Sequence, residues 1–193
     1  MNFINDDFLL QTDEAKHLYH DFAENMPIID YHCHLVPQMI AENINFKNIG
    51  ELFLGGDHYK WRVMRSNGVD EKYITGDASY YEKFVKFAES LPYCIGNPML
   101  HWTQLELKRY FGVDEILTAK TADYIWNKCN EQIVSPEFST QSLITRSNVK
   151  VICTTDDPKD TLLYHKQIAK SGFGTKVLPT FRPDKAVEIG KDK

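Results

Sequence analysis

Several features are missing from this sequence, and each absence narrows what the chain can be. No stretch approaches the ~20 consecutive apolar residues that a membrane-crossing helix needs. The opening residues carry Asp6 and Asp7 and lack the basic start and apolar centre of a secretory leader, so a cytoplasmic location is expected. Cys33, Cys94, Cys129 and Cys153 show no C-x-x-C pairing and no regular spacing, which predicts reduced thiols and not a disulfide framework. The 22 Lys and Arg are outnumbered by 27 Asp and Glu and form no clustered stripe, so neither a nucleic-acid partner nor a membrane is expected. Internal repeats and low-complexity tracts are absent too.

What is present is an ordinary globular composition. The chain has 193 residues, 42% hydrophobic and 25% charged, enough for one domain with a real core. Thr12 is placed to cap a helix over about 13–24, with Asp13 and Glu14 in the first turn, where the helix dipole favours them. Pro27 punctuates it, and an apolar strand follows over 28–35. From about Gln38 to Ser147 the pattern is almost entirely helical: apolar residues recur at helical spacing over 79–91, 98–111 and 121–134. Gly55-Gly56, Asn67-Gly68 and Gly96-Asn97-Pro98 mark breaks, and Gly112 a stop. Strands are expected again at 149–154 and 176–181, with a helix over about 159–171 between them and another after Arg182-Pro183-Asp184. This alternation predicts an α/β fold with a parallel sheet. Three regions follow: 1–35 with the first strand, a helical insertion over 36–147, and further βα units over 148–193. Three parallel strands neither close a barrel nor cover both faces of a sheet, and the βα pattern stops abruptly at Gly190-Lys191-Asp192-Lys193. A larger domain is therefore expected.

Chemistry gathers where parallel strands end. The first strand ends in Asp30-Tyr31-His32-Cys33-His34, and strict alternation would point Asp30, His32 and His34 the same way. Two neighbouring imidazoles on a rigid strand suit a divalent metal; two histidines packed in a buried strand are the plain alternative. The second strand ends in Asp156-Asp157-Pro158, where an aspartate is more often a helix cap than a ligand. The third ends in Arg182, a side chain suited to bidentate grip of a carboxylate. In Asp57-His58-Tyr59-Lys60-Trp61-Arg62-Val63-Met64-Arg65, Trp61 and Met64 read as core, and the two glycines before Asp57 place His58 and Tyr59 on a loop. His101-Trp102 reads as a packed aromatic pair.

These residues also carry a resemblance. Asp30-Tyr31-His32-Cys33-His34-Leu35, Gly56-Asp57-His58-Tyr59-Lys60-Trp61-Arg62, Gly96-Asn97-Pro98 with His101-Trp102-Thr103, Thr154-Thr155-Asp156-Asp157-Pro158 and Leu178-Pro179-Thr180-Phe181-Arg182-Pro183-Asp184-Lys185 are similar to the N-terminal part of the uronate (glucuronate) isomerases of the amidohydrolase superfamily. The resemblance implies a (β/α)8 barrel with a helical insertion after its first strand. It implies an aldose–ketose isomerase converting D-glucuronate to D-fructuronate, and D-galacturonate to D-tagaturonate, in hexuronate breakdown. His32 and His34 match the family's first-strand metal ligands. His58 and Tyr59 match positions near the reacting end of the sugar, with neither favoured as the base, and Arg182 matches the arginine that grips substrate. One divalent metal is implied, zinc first, with manganese, iron and cobalt also suited. The family completes its metal site with an aspartate on the last barrel strand, which this sequence lacks, so weak metal binding and no turnover are expected of these 193 residues alone. The partner is a small uronate sugar, and a homo-oligomer is left open. Two alternatives stand beside this reading: a metal-dependent hydrolase of the same superfamily, or a non-catalytic binding surface.

Overall fold

A computed structural model describes residues 3–188 and Gly190. Lys191-Asp192-Lys193, named above at the end of the βα pattern, lie outside the described residues, as do Met1, Asn2 and Ile189. The chain divides into two compact units, one of Met1–Gln11 with Phe46–Pro136, the other of Thr12–Asn45 with Glu137–Lys193.

In chain order the elements are α1 (Asp13–Leu18), β1 (Ile28–Cys33), α2 (Pro37–Ala41), α3 (Ile49–Leu54), α4 (His58–Ser66), α5 (Tyr80–Ser90), α6 (Pro98–Phe111), α7 (Ala122–Ile133), α8 (Thr140–Arg146), β2 (Val149–Asp156), α9 (Leu163–Lys170), β3 (Lys176–Phe181) and α10 (Asp184–Val187). The Thr12 hydroxyl accepts the Ala15 N–H at 3.1 Å, so α1 begins where the cap predicts. Its expected continuation to Glu24 widens into a π turn at Tyr19–Ala23, where the Glu24 N–H reaches back to the Tyr19 carbonyl.

The sheet unit is built on three parallel strands in the order β1-β2-β3. Threonines stitch the strands beyond the backbone ladder: Thr155 donates to the Cys33 carbonyl at 2.7 Å and Thr175 to the Val149 carbonyl at 2.7 Å. Beside the sheet, Ile40 of α2, Ile144 of α8, Ile152 of β2, Ile168 of α9 and Val177 of β3 form one buried cluster, against which Cys33 and Val149 pack. Burying several such side chains contributes about 2 kcal/mol each. This packing explains why α2 and α8, expected within the helical insertion, belong to the sheet unit.

In the helical unit, α5 packs against α3, α4 and α7. Phe84 and Phe87 of α5 and Ile125 and Ile133 of α7 are fully buried, as the apolar spacing of the sequence requires. The approach of α3 to the start of α5 is close enough to need glycine. A Cβ on Gly50 would lie 2.6 Å from the Tyr80 carbonyl oxygen.

Candidate functional site

The histidine pair sits at the carboxyl end of β1, but the strand is not regular there. Asp30 pairs with Ile152 and Cys33 with Thr154, so three steps along β1 oppose two along β2. That is a β-bulge, and it breaks strict alternation. Partners in register share a face, which puts Asp30 and Cys33 with Ile152 and Thr154, while His32 and His34 flank Cys33. The expected common face of Asp30, His32 and His34 is therefore corrected. Asp30 also bends back to its own strand, accepting the His32 N–H at 3.3 Å. The two imidazoles do meet, with ring centroids 5.1 Å apart and planes at 84°. Between them, burial is the largest influence on the Cys33 thiol and pushes its pKa up, so it stays protonated and apolar in character.

Two exposed, adjacent imidazoles fit a divalent ion as part of a ligand set, since neutral imidazole nitrogens are borderline-soft donors. Catalytic zinc centres commonly take three protein donors. Among the described residues no group of three or more His, Cys, Asp or Glu side chains could hold a metal. The described chain thus brings two donors of the expected set together.

The end of β2 differs from expectation. Asp156 is the last residue of the strand, and Asp157 does not start a helix. Its side chain accepts from the Lys159 N–H at 2.9 Å in a tight turn, and α9 begins only at Leu163, after Leu162 in the left-handed region. The hydrogen bond from Lys159 is the main reason that the Asp157 carboxyl is held below the usual carboxylate range; the Lys185 N–H assists. At the end of β3, the Arg182 N–H donates to the Asp156 carbonyl at 2.9 Å, and its Nε reaches Asp184 at 2.6 Å. A cavity of about 230 Å³ opens beside these strand ends, lined by Asp156, Asp160, Thr180 and Phe181 among others.

One network here is not one that the sequence singles out. Thr154, fully buried, donates to Asp156 Oδ2 at 2.7 Å and lies 2.8 Å from His165 Nε2. A hydroxyl has one proton; with that proton on the carboxylate, His165 Nε2 must be the donor to Thr154. His165 sits one turn before Ile168 on the buried face of α9. A histidine at a core position of an amphipathic helix was the available signal.

His58 and Tyr59 belong to the helical unit. They are not on a loop: Asp57 is the N-cap of α4, its Oδ1 accepting the N–H groups of Tyr59 at 2.9 Å and Lys60 at 3.1 Å. The two rings are stacked at 4.4 Å between centroids, and Tyr59 is 53% exposed. Met64 is core, as read, and Trp61 donates its indole N–H to the Leu54 carbonyl at 2.8 Å. His101 meets Phe3 and Phe8, whereas Trp102 is exposed. Lys60 is buried with Val63 and Met64, whose spacing puts all three on one stripe of the helix.

A parallel α/β unit with ligand-type side chains at its strand ends defines the class, α/β proteins that collect functional groups at the carboxyl edge of the sheet. The chain belongs to the glucuronate isomerase family, whose model matches residues 1–193. It is 57% identical to a uronate isomerase of Bacteroides thetaiotaomicron over 97% of this chain and 40% of the relative. It is 58% identical to one of Shouchella clausii, over 96% of this chain and 39% of the relative. The crystal structure of uronate isomerase from Thermotoga maritima superposes with a TM-score of 0.93 at 36% identity, covering 100% of this chain and 42% of that one. The glucuronate isomerase of Caulobacter crescentus gives 0.90 at 27% identity, covering 98% of this chain and 42% of that one. The chain spans about 40% of the length of the curated relatives it matches.

Proposed function

We propose that this sequence supplies the first metal-ligand pair and the acid–base tip of an aldose–ketose isomerase acting on uronate sugars. The substrates are D-glucuronate and D-galacturonate, and the products D-fructuronate and D-tagaturonate, in cytoplasmic hexuronate breakdown. The observation that carries the reading is a family match over the whole chain, joined to an imidazole pair in ring contact at a parallel strand's carboxyl end. The sheet supports its extension into a (β/α)8 barrel: both outer strands show exposed apolar side chains, Ile29 at 64% and Phe181 at 77%, which further strands would cover.

Isomerisation removes the proton at C2 of the open-chain aldose and returns one to C1 through an enediol. The base needs hydrogen-bond reach to that proton and a pKa near the working pH. His58 and Tyr59, stacked at the start of α4, are the two side chains proposed to carry it. Arg182, half-exposed beside the strand ends, holds the sugar's carboxylate in a fork of N–H donors. His32 and His34 would hold a divalent metal, zinc first, which when bound supplies Lewis-acid stabilisation of sugar oxygens.

The test is isomerisation of D-glucuronate by the full-length family member carrying this sequence, coupled to a hexuronate reductase and followed by NADH loss. Uronate-dependent oxidation is expected. Hydrolysis of lactones or phosphoesters with no uronate turnover would replace this reading with a metal-dependent hydrolase. Arg182→Ala should raise KM about tenfold or more, the effect of losing a charge-assisted bond, with kcat nearly kept. An unchanged KM removes the carboxylate-grip role.

A further inference from the structure

Lys60 is a cation buried where the proposed chemistry has no direct use for it. It is 5% exposed, its Nζ lies 3.1 Å from Asp57 Oδ2 and 3.3 Å from Glu106 Oε2, and it sits 4.8 Å from the centre of the Phe53 ring. Taking an ammonium out of water is costly, and a buried ion pair is often no more stabilising than an apolar replacement of the same shape. Stability alone is therefore a weak reason for a lysine at this position.

Geometry supplies a better one. Asp57 uses one carboxylate oxygen to cap α4, bonding the N–H of Tyr59 and of Lys60 itself, and gives the other to the Lys60 ammonium. Glu106 belongs to α6, so the ammonium ties the first turn of α4 to a second helix. Without that tie the capping carboxylate could rotate, and the first turn of a helix is where its backbone bonds are fewest. His58 and Tyr59 are the first two residues of that turn, with the phenol side chain half in solvent and held by little else in the described structure than its stacking on His58 and the guanidinium of Arg62 5.8 Å from its ring.

We propose that Lys60 is a positioning residue: through Asp57 and Glu106 it fixes the first turn of α4 and with it the orientation of the His58–Tyr59 pair. The proposal rests on the reading of that pair as the acid–base group. A reacting side chain displaced by about 1 Å can lose a hundredfold in rate while the substrate still binds. Lys60 should thus act on kcat and leave KM alone.

Two substitutions in the full-length protein test this. Lys60→Met keeps the stem and its contact with Phe53 but removes the charge, leaving Asp57 and Glu106, each about a third exposed, to water. Asp57→Asn keeps an oxygen that can cap the helix and removes the charge partner. The expected result for both is a kcat lowered about tenfold or more, with KM within about twofold and the melting temperature nearly unchanged. Amide hydrogen exchange at Tyr59 and Lys60 should quicken about tenfold while Val63 and Met64 stay protected. Unchanged kcat and exchange in both variants would overturn the proposal, and so would equal losses of kcat and melting temperature, the signature of a merely structural ion pair. An unsubstituted protein inactive on uronates would instead sink the functional reading, and the exchange rates alone would then decide whether Lys60 holds the turn.

Discussion

Glu71 is exposed, yet two bonds from the Arg65 guanidinium, at 2.9 and 2.5 Å, followed by one from the Thr75 hydroxyl, lower its carboxyl to about 2. The folded pKa is depressed, so the link is fully present above the ordinary value of 4.5 and is lost as pH falls towards about 2. A carbon-13 titration should find the Glu71 midpoint near that low value, and Arg65→Met should return it towards 4.5. Cys129 shows the opposite case. Complete burial in α7 pushes its thiol up to about 12, from 9.0. The unfolded chain alone releases this proton between those values, so the thiol's contribution is intact below about pH 9 and declines as pH rises towards 12. Iodoacetamide at pH 8 should leave Cys129 unmodified in the native protein and label it once urea has unfolded the chain. At the same scale the sequence showed which side chains could act but not how they turn. His32 and His34 were legible as a pair from spacing alone. Asp30 was not legible as a separate case, because its placement depends on a bulge set by pairing with β2.

The elements most plainly written in the sequence are those with both a periodic face and a chemical stop. α6 runs over Pro98–Phe111, as its Asn97-Pro98 start and Gly112 end predict: Asn97 caps Met99 at 2.9 Å, and Gly112 adopts φ 63°. Gly112→Ala should cost about 1 kcal/mol in urea unfolding, the penalty of a Cβ in the left-handed region. α5 has a complete capping box between Ser79 and Glu82 and also keeps its expected bounds to within a residue. α9 starts later than its sequence predicts because Asp157-Pro158 carries the chemistry of a helix start while its bonds close a turn instead. α4 starts two residues earlier than the loop reading of His58 and Tyr59 implies. Two glycines imply a loop as far as Tyr59, whereas Asp57 captures the Tyr59 and Lys60 amides and starts the helix at His58.

At the scale of the molecule, α/β class and the parallel sheet followed from alternating strand and helix patterns over the last 45 residues or so. The division into units was less legible, since Ile40 and Ile144 join the core beside the sheet across about a hundred intervening residues. Periodicity reports a buried face without naming what buries it. The candidate residues divide in the same way: His32, His34 and Arg182 belong to the sheet unit, His58 and Tyr59 to the helical one. The proposed function turns on His32 and His34 as ligands of a metal that the isomerisation uses. The direct measurement is metal content by mass spectrometry, alongside D-glucuronate turnover, in the full-length protein and in its His32→Asn and His34→Asn variants. About one metal per chain is expected in the unsubstituted protein, with metal and turnover lost together in both variants. Turnover and metal content left intact by either substitution would refute that ligand role.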